Sequence, residues 1–128
     1  MLDTHVLVRW HADPKRLSRE QVRILDNAIQ HQQPLAISAI TLLEIAILDR
    51  EALIRAKISM NDLFSTLEEN PVFVILPITI DIAREVAFLS ILRDPADRVI
   101  VGTARAHGLR LLTSDQRIVE SNVVSTVD

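Results

Sequence analysis

Four acidic residues of this chain occupy one kind of place. Asp3 follows Met1-Leu2, and Asp115 follows Leu111-Leu112-Thr113-Ser114. Glu44 lies one helical turn past Leu35-Ala36-Ile37-Ser38, and Asp97 opens the helical run Asp97-Arg98-Val99-Ile100-Val101. The short apolar runs read as buried strands. In a parallel sheet the carboxyl ends of the strands share one edge, and ligands bind in the crevice there. Carboxylates gathered on that edge repel: at ~6 Å and an effective dielectric of about 20, one pair costs ~3 kcal/mol. Four acids make six such pairs, a heavy load for a domain stable by ~5–15 kcal/mol. Either one or two of them stay protonated or a cation binds. Every candidate ligand is oxygen, so Mg²⁺ or Mn²⁺ is the expected ion.

Each acid also has a purely structural use. Asp3 and Asp115 stand where helix N-caps stand. Glu44 follows Thr41 by three residues, the spacing of a capping box. Asp97 sits in a first helical turn, where negative charge is favourable, with Asp94 as the cap and Pro95 at the first helical position. What the separate uses leave unexplained is the conjunction, since all four acids fall at strand-to-helix passages of the same sense. Glu44 also lies within a strongly apolar helix, where an unpaired carboxylate is costly.

Around the acids, Thr113 and Ser114 place hydroxyls where a metal-bound water could be supported, or where a turn needs a cap. Arg9, Arg98 and Arg105 are candidates to flank the acids and meet phosphates. His5 is close enough to Asp3 to approach the site. His5, His11, His31 and His107 together do not form a zinc pattern.

The elements that must position these residues alternate. Met1-Leu2 offers two residues before the first acid, where a core strand runs to about five or six. A helix is expected over Thr4 to His11, ended by Asp13-Pro14. A second runs from a Ser18 cap to Gln30, with Val22, Leu25, Ala28 and Ile29 on one face. A strand follows over Leu35 to Ser38, then a helix from Thr41 to Arg50 buried on much of its circumference. Ser59 to Asp62 starts the next helix, which stops before Pro71. Val72 to Leu76 is continuously apolar, the pattern of a strand covered on both faces. Thr79 or Asp81 caps a helix bearing Ile82, Val86 and Leu89. The helix opened by Asp94-Pro95 ends at Gly108. Strands over Leu109 to Thr113 and Asn122 to Val127 flank a short helix over Gln116 to Glu120. This order predicts an α/β fold: a three-layer α/β/α sandwich on a mostly parallel central sheet of four to five strands, with residues 1–128 forming a single domain.

Composition sets the outer limits. The chain has 128 residues, 48% of them hydrophobic and 3% aromatic, so its core is aliphatic. It has no cysteine, which excludes disulfides and thiolate metal sites and fits a cytoplasmic location. Asp3, His5 and Arg9 interrupt any apolar leader. No run approaches the ~18 apolar residues of a membrane span. The net charge is −3, without a global basic footprint for nucleic acid. The four acids alone account for that balance, and a bound divalent cation would reverse the sign where it matters.

Four segments carry a resemblance: Leu2-Asp3-Thr4-His5-Val6-Leu7, Ile37 to Ile45, Asp94-Pro95-Ala96-Asp97-Arg98-Val99-Ile100, and Leu111-Leu112-Thr113-Ser114-Asp115. In this order and spacing they resemble PIN-domain proteins, above all the VapC-like toxins of bacterial toxin–antitoxin modules. The resemblance covers nearly the whole chain. It implies a Mg²⁺- or Mn²⁺-dependent ribonuclease in which Asp3, Glu44 and Asp97 match the metal-binding acids and Asp115 matches the acid that completes the site. It further implies an RNA substrate, a homodimer and silencing by a cognate antitoxin protein. The chain departs from the family pattern in its short first strand and in Ile118, where some relatives carry a further acid. The competing reading is a non-catalytic PIN-like module that binds a partner and keeps its acids as caps. A haloacid-dehalogenase type of phosphatase would need Asp-x-Asp where this chain has Asp3-Thr4-His5.

Overall fold

Leu2 is the middle of the sheet. In the computed structural model, which describes residues 1–48 and 50–128, Leu2 forms parallel bridges to Ile37 on one side and Leu112 on the other. Strand β1 (Leu35–Ser38) pairs in parallel with β2 (Phe73–Leu76), Leu35 opposite Phe73 and Ser38 opposite Leu76. Strand β3 (Leu111–Leu112) pairs in parallel with β4 (Thr126–Val127). Across the sheet the order is therefore β2, β1, Leu2, β3, β4, and every described pairing is parallel. The chain starts at the centre, builds outward to one side, then returns to build the other. The switch point of this winding lies beside Leu2, and in open α/β sheets the ligand crevice forms there.

The helices are α1 (Thr4–Ala12), α2 (Arg19–Gln30), α3 (Ala39–Ile47), α4 (Arg50–Arg55), α5 (Met60–Glu69), α6 (Ile80–Ala87), α7 (Pro95–Ala106) and α8 (Gln116–Ser121), with a 3₁₀ turn at Pro14–Arg16. Their layers follow from side-chain alternation along the strands. Leu2, Leu35, Ile37, Leu112 and Val127 point into one apolar cluster with Val6, Leu7, Leu25, Ile45, Leu63 and Leu67 of α1, α2, α3 and α5. Met1, Ala36 and Leu111 point into a second, with Ile100, Val101, Ala104 and Ile118 of α7 and α8. Two cores on opposite faces of one parallel sheet are the expected three-layer sandwich.

Capping follows the sequence closely. Ser18 and Gln21 form a reciprocal capping box on α2. Ser59, Thr79 and Asp94 accept backbone N–H bonds at the starts of α5, α6 and α7. Gly108 closes α7 at φ 63°, a conformation that glycine adopts without penalty.

Several expectations are corrected. Helix α3 begins at Ala39, because Ser38 is its cap, and it ends at Ile47. Asp49, within the helix expected to reach Arg50, lies outside the described residues. Helix α3 is not buried around most of its circumference: Leu43 is 54% and Ile47 72% exposed. Strand β2 is not covered on both faces. It lies at the sheet edge with Val74 and Ile75 exposed, since a continuous apolar run does not distinguish an edge from a centre. On α2 the buried face takes Gln21 rather than Ile29. Gln21 is tolerated there because its amide donates to Val127 O at 3.0 Å. The last two strands shrink to two residues each, and Asn122 is a left-handed helix end at φ 55° instead of a strand start. No helix among the described residues is long and apolar enough to cross a membrane.

Leu2 is fully buried and carries both sheet halves. Leu2→Ala is expected to cost about 2–5 kcal/mol in urea unfolding. Ile75→Thr on the exposed edge should cost less than about 1 kcal/mol. Similar losses for the two would refute the central role given to Leu2.

Candidate active site

Because β1, Leu2 and β3 run parallel, their carboxyl ends present Ser38, Asp3 and Thr113 side by side. Asp3 is the deepest of the acids, at 2% exposure. It stands at the N-cap position of α1, yet its carboxylate makes no capping bond. Instead it accepts from the Thr113 hydroxyl at 2.7 Å. The Thr113 oxygen in turn accepts from the Asp115 backbone N–H at 3.1 Å. Burial raises the Asp3 carboxyl above its ordinary range, while the Thr113 bond and the nearby His5 charge oppose the shift.

Glu44 enters from α3. Since that helix starts at Ala39, Thr41 lies inside it and the capping box does not form. The Glu44 carboxylate accepts from the Thr4 hydroxyl at 2.6 Å, and Thr4 and Thr41 share a bond of 2.9 Å. With Thr4 donating to Glu44, Thr41 must donate to Thr4. Glu44 is thus anchored to the residue that follows Asp3. Thr4, His5 and Glu44 also line a cleft of about 390 Å³ that continues over Val8, Leu53, Ala56 and Ile58.

Asp97 is half-buried in the first turn of α7. Its carboxyl is pushed up to about 6, first by burial and then by the charges of Asp94, Asp3 and Asp115. Asp94 caps the helix through the Ala96 N–H at 2.9 Å, as expected. Asp115 behaves differently. It caps α8 through the Arg117 N–H and takes two further bonds from the Arg117 guanidinium, at 3.1 and 2.9 Å. Those bonds hold its carboxyl below the usual range.

Asp3, Asp97 and Asp115 therefore feel one another's charge, and Glu44 is tied in through Thr4. Among the described residues no ion pair reaches Asp3, Glu44 or Asp97. The donor set is all oxygen and short of positive charge, which suits a hard divalent cation. The side chains as they stand do not close into a chelate, since among the described residues no three His, Asp or Glu are grouped as a metal would hold them. Asp115 is turned onto Arg117 and Glu44 onto Thr4. Both would have to swing inward to share an ion with Asp3 and Asp97.

Sequence reasoning misses two residues at the site. Thr4 reads only as the first residue of a helix, though its place directly after Asp3 is a usable signal. Arg117 stands two positions after Asp115, a spacing that brings no side chains together within a helix but does so around an N-cap. Two candidate arginines are structural instead. Arg98 donates to the Leu92 carbonyl, and Arg105 bonds Glu85 at 2.8 Å and the Val123 carbonyl at 2.5 Å.

Comparison with known proteins agrees with this architecture. The PIN domain matches residues 1–122. The chain belongs to the PIN-domain family. It is 38% identical over 120 residues to Ribonuclease VapC22 of Mycobacterium tuberculosis, covering 92% of this chain and 88% of that protein. FitAcB from Neisseria gonorrhoeae is structurally similar at a TM-score of 0.63 and 26% identity, over 99% of this chain and 95% of the other. A VapBC2 complex from Rickettsia felis, bound to a promoter DNA fragment, shares the fold at a TM-score of 0.69 and 16% identity, over 99% and 96%.

The raised Asp97 carboxyl has a pH signature. The folded state holds a proton on Asp97 up to about 6, whereas the unfolded chain releases it near 3.8. Folding therefore loses stability as pH rises between those values. In EDTA, Asp97→Asn should gain stability relative to the native protein from about pH 4 to about pH 7, then level off. Thermal melts at a series of pH values measure the difference. A gain that does not change with pH would refute the assignment.

Proposed function

We propose that the chain is a Mg²⁺- or Mn²⁺-dependent endoribonuclease that hydrolyses RNA phosphodiester bonds, the toxin of a type II toxin–antitoxin pair. The observation that carries this reading is the convergence of acids at the carboxyl edge, where Asp97 lies within reach of the charges of Asp3 and Asp115 and the Asp3 carboxylate is held through Thr113 beside Asp115. Its support from relatives is the 38% identity to a ribonuclease. Asp3, Glu44, Asp97 and Asp115 are the residues that would hold the ion. When bound, such an ion lowers the pKa of a water and offsets charge on a phosphate. The chain's own contribution is placement. Thr113 fixes the Asp3 carboxylate, and Thr4 fixes that of Glu44. Arg117, mostly exposed beside Asp115, offers a guanidinium to an incoming phosphate once Asp115 turns inward.

The same reading includes a cognate antitoxin and a homodimer. The antitoxin is supported by the solved toxin–antitoxin complex from Klebsiella pneumoniae, which shares the fold. An apolar groove of about 580 Å³ between α3 and α5, lined by Leu42, Leu43, Phe64, Leu67 and Ile75, supports a protein partner. The compartment is the cytoplasm, a reading that a chain without cysteine supports.

A second reading, a partner-binding module without activity, draws on the clamp between Asp115 and Arg117 and on the open spacing of the acids. Cleavage separates the two. A mixed RNA pool should be cut in Mg²⁺ or Mn²⁺, with the activity lost in EDTA and reduced more than ~10²-fold by Asp97→Asn. Full activity in that variant would remove the site assignment. Mn²⁺ at about 100 times its Kd should also stabilise the native fold by about 2.7 kcal/mol. No melting shift at millimolar Mn²⁺ would favour the module.

A further inference from the structure

The cleft that holds Thr4, His5 and Glu44 continues into a second depression of about 360 Å³, and the two share Val8 and Ala56. This second pocket is basic. Arg9, Arg16, Arg55 and Lys57 line it against a single carboxylate, Asp13. That is a local excess of three positive charges in a chain whose net charge is −3. Arg9 is half-buried and the other three are exposed. Among the described residues none of the four makes an ion pair or a side-chain hydrogen bond. Arg9 and Arg55 lie in the last turns of α1 and α4, where a cation suits the helix dipole. Arg16 closes the short 3₁₀ turn and Lys57 follows the end of α4, so all four cations cluster at helix ends that face this pocket.

We infer that this pocket binds backbone phosphates of the RNA strand away from the scissile bond, with α1 as the ruler between the two places. Helix α1 begins at Asp3 and Thr4 in the acid site and ends at Ala12 in the basic pocket. Thr4 to Ala12 spans about 12 Å at helical rise, a length that a few nucleotides of extended strand cover. The groove between is walled by Val8 and Ala56, which leave the track clear of competing charge. The inference takes its substrate class from the ribonuclease reading, and it adds the direction in which the strand leaves the acids. It also explains how a chain of negative net charge holds a polyanion.

Lys57 supplies a clean test. It ends α4 at φ 56°, with its N–H on the Ile54 carbonyl and the Ile58 N–H on the Leu53 carbonyl. This is the helix end that glycine fills most easily. Lys57→Gly thus removes the charge while relieving the backbone, so binding and stability should move in opposite directions. A short fluorescent single-stranded RNA is titrated in EDTA over a series of salt concentrations. Removing one cation that meets a phosphate should make the slope of log K against log salt shallower by ~0.7. Lys57→Gly should show that change with an equal or higher Tm, and Arg16→Gln with Arg55→Gln about twice it. Unchanged slopes in both variants, or no RNA binding by the native protein, would overturn the inference. So would variants that stop binding a polyglutamate peptide yet bind RNA as before, which would assign the pocket to an acidic protein segment. Failure of the native protein to cleave RNA would remove the nuclease reading alone, because the EDTA titration reports binding without cleavage.

Discussion

Three backbone hydrogen bonds at the N-terminal segment hold the two halves of this molecule together. Leu2 N–H donates to Ala36 O at 3.0 Å, Asp3 N–H to Leu112 O at 3.0 Å, and Leu112 N–H to Met1 O at 2.8 Å. On one side stands the β1–β2 pair and on the other the β3–β4 pair. Leu2 is the residue that bridges both pairs. Leu2 sits at 0% exposure between neighbours that are themselves buried. The residue that the sheet cannot lose is therefore next in chain to the acid that lies deepest in the site. Stability and chemistry meet at one peptide bond.

That adjacency sets the electrostatic problem. A carboxylate as buried as Asp3 loses hydration that a single hydroxyl replaces only in part. The fold answers with threonines. Thr113 holds Asp3 and receives the Asp115 N–H, while Thr4 holds Glu44 and is held by Thr41. Hydroxyls fix carboxylates in place without neutralising them, so the charge remains available to a cation. Arg117 is the exception: it pairs with Asp115 while its own side chain stays 76% exposed. The Asp115 carboxylate itself is only 15% exposed and is held by three hydrogen bonds from Arg117.

Much of this was legible in the residues because it depends on local chemistry. Ser18, Ser59, Thr79 and Asp94 announce helix starts, and Gly108 a helix end, since the bonds they make span two to five positions in the chain. The parallel sheet followed from strands and helices in alternation. What failed to read out depends on distant partners. Thr41 and Glu44 have capping-box spacing, but Ser38 captured the helix start three residues earlier, releasing Glu44 to meet Thr4 forty positions away. Val72 to Leu76 is apolar throughout, yet nothing in the run records that β2 would pair on one side only. Ile29 has the helical spacing of a core residue, yet the buried face takes Gln21, whose partner Val127 lies 106 positions away in the chain.

The site follows the same division. Four acids at equivalent strand-to-helix passages could be picked out because topology repeats the passage. Their orientation could not, because Asp115 answers to Arg117 and Glu44 to Thr4, and such choices depend on side-chain reach rather than on pattern. A separation also emerges between the two ends of α1. Negative charge gathers at its start, where the dipole is positive, and positive charge at its finish, where the dipole is negative. The helix thus carries a gradient of fixed charge along the groove beside it. On the reading proposed above, a polyanion laid there would meet cations at one end and, at the other, acids that would accept it through a bound metal ion.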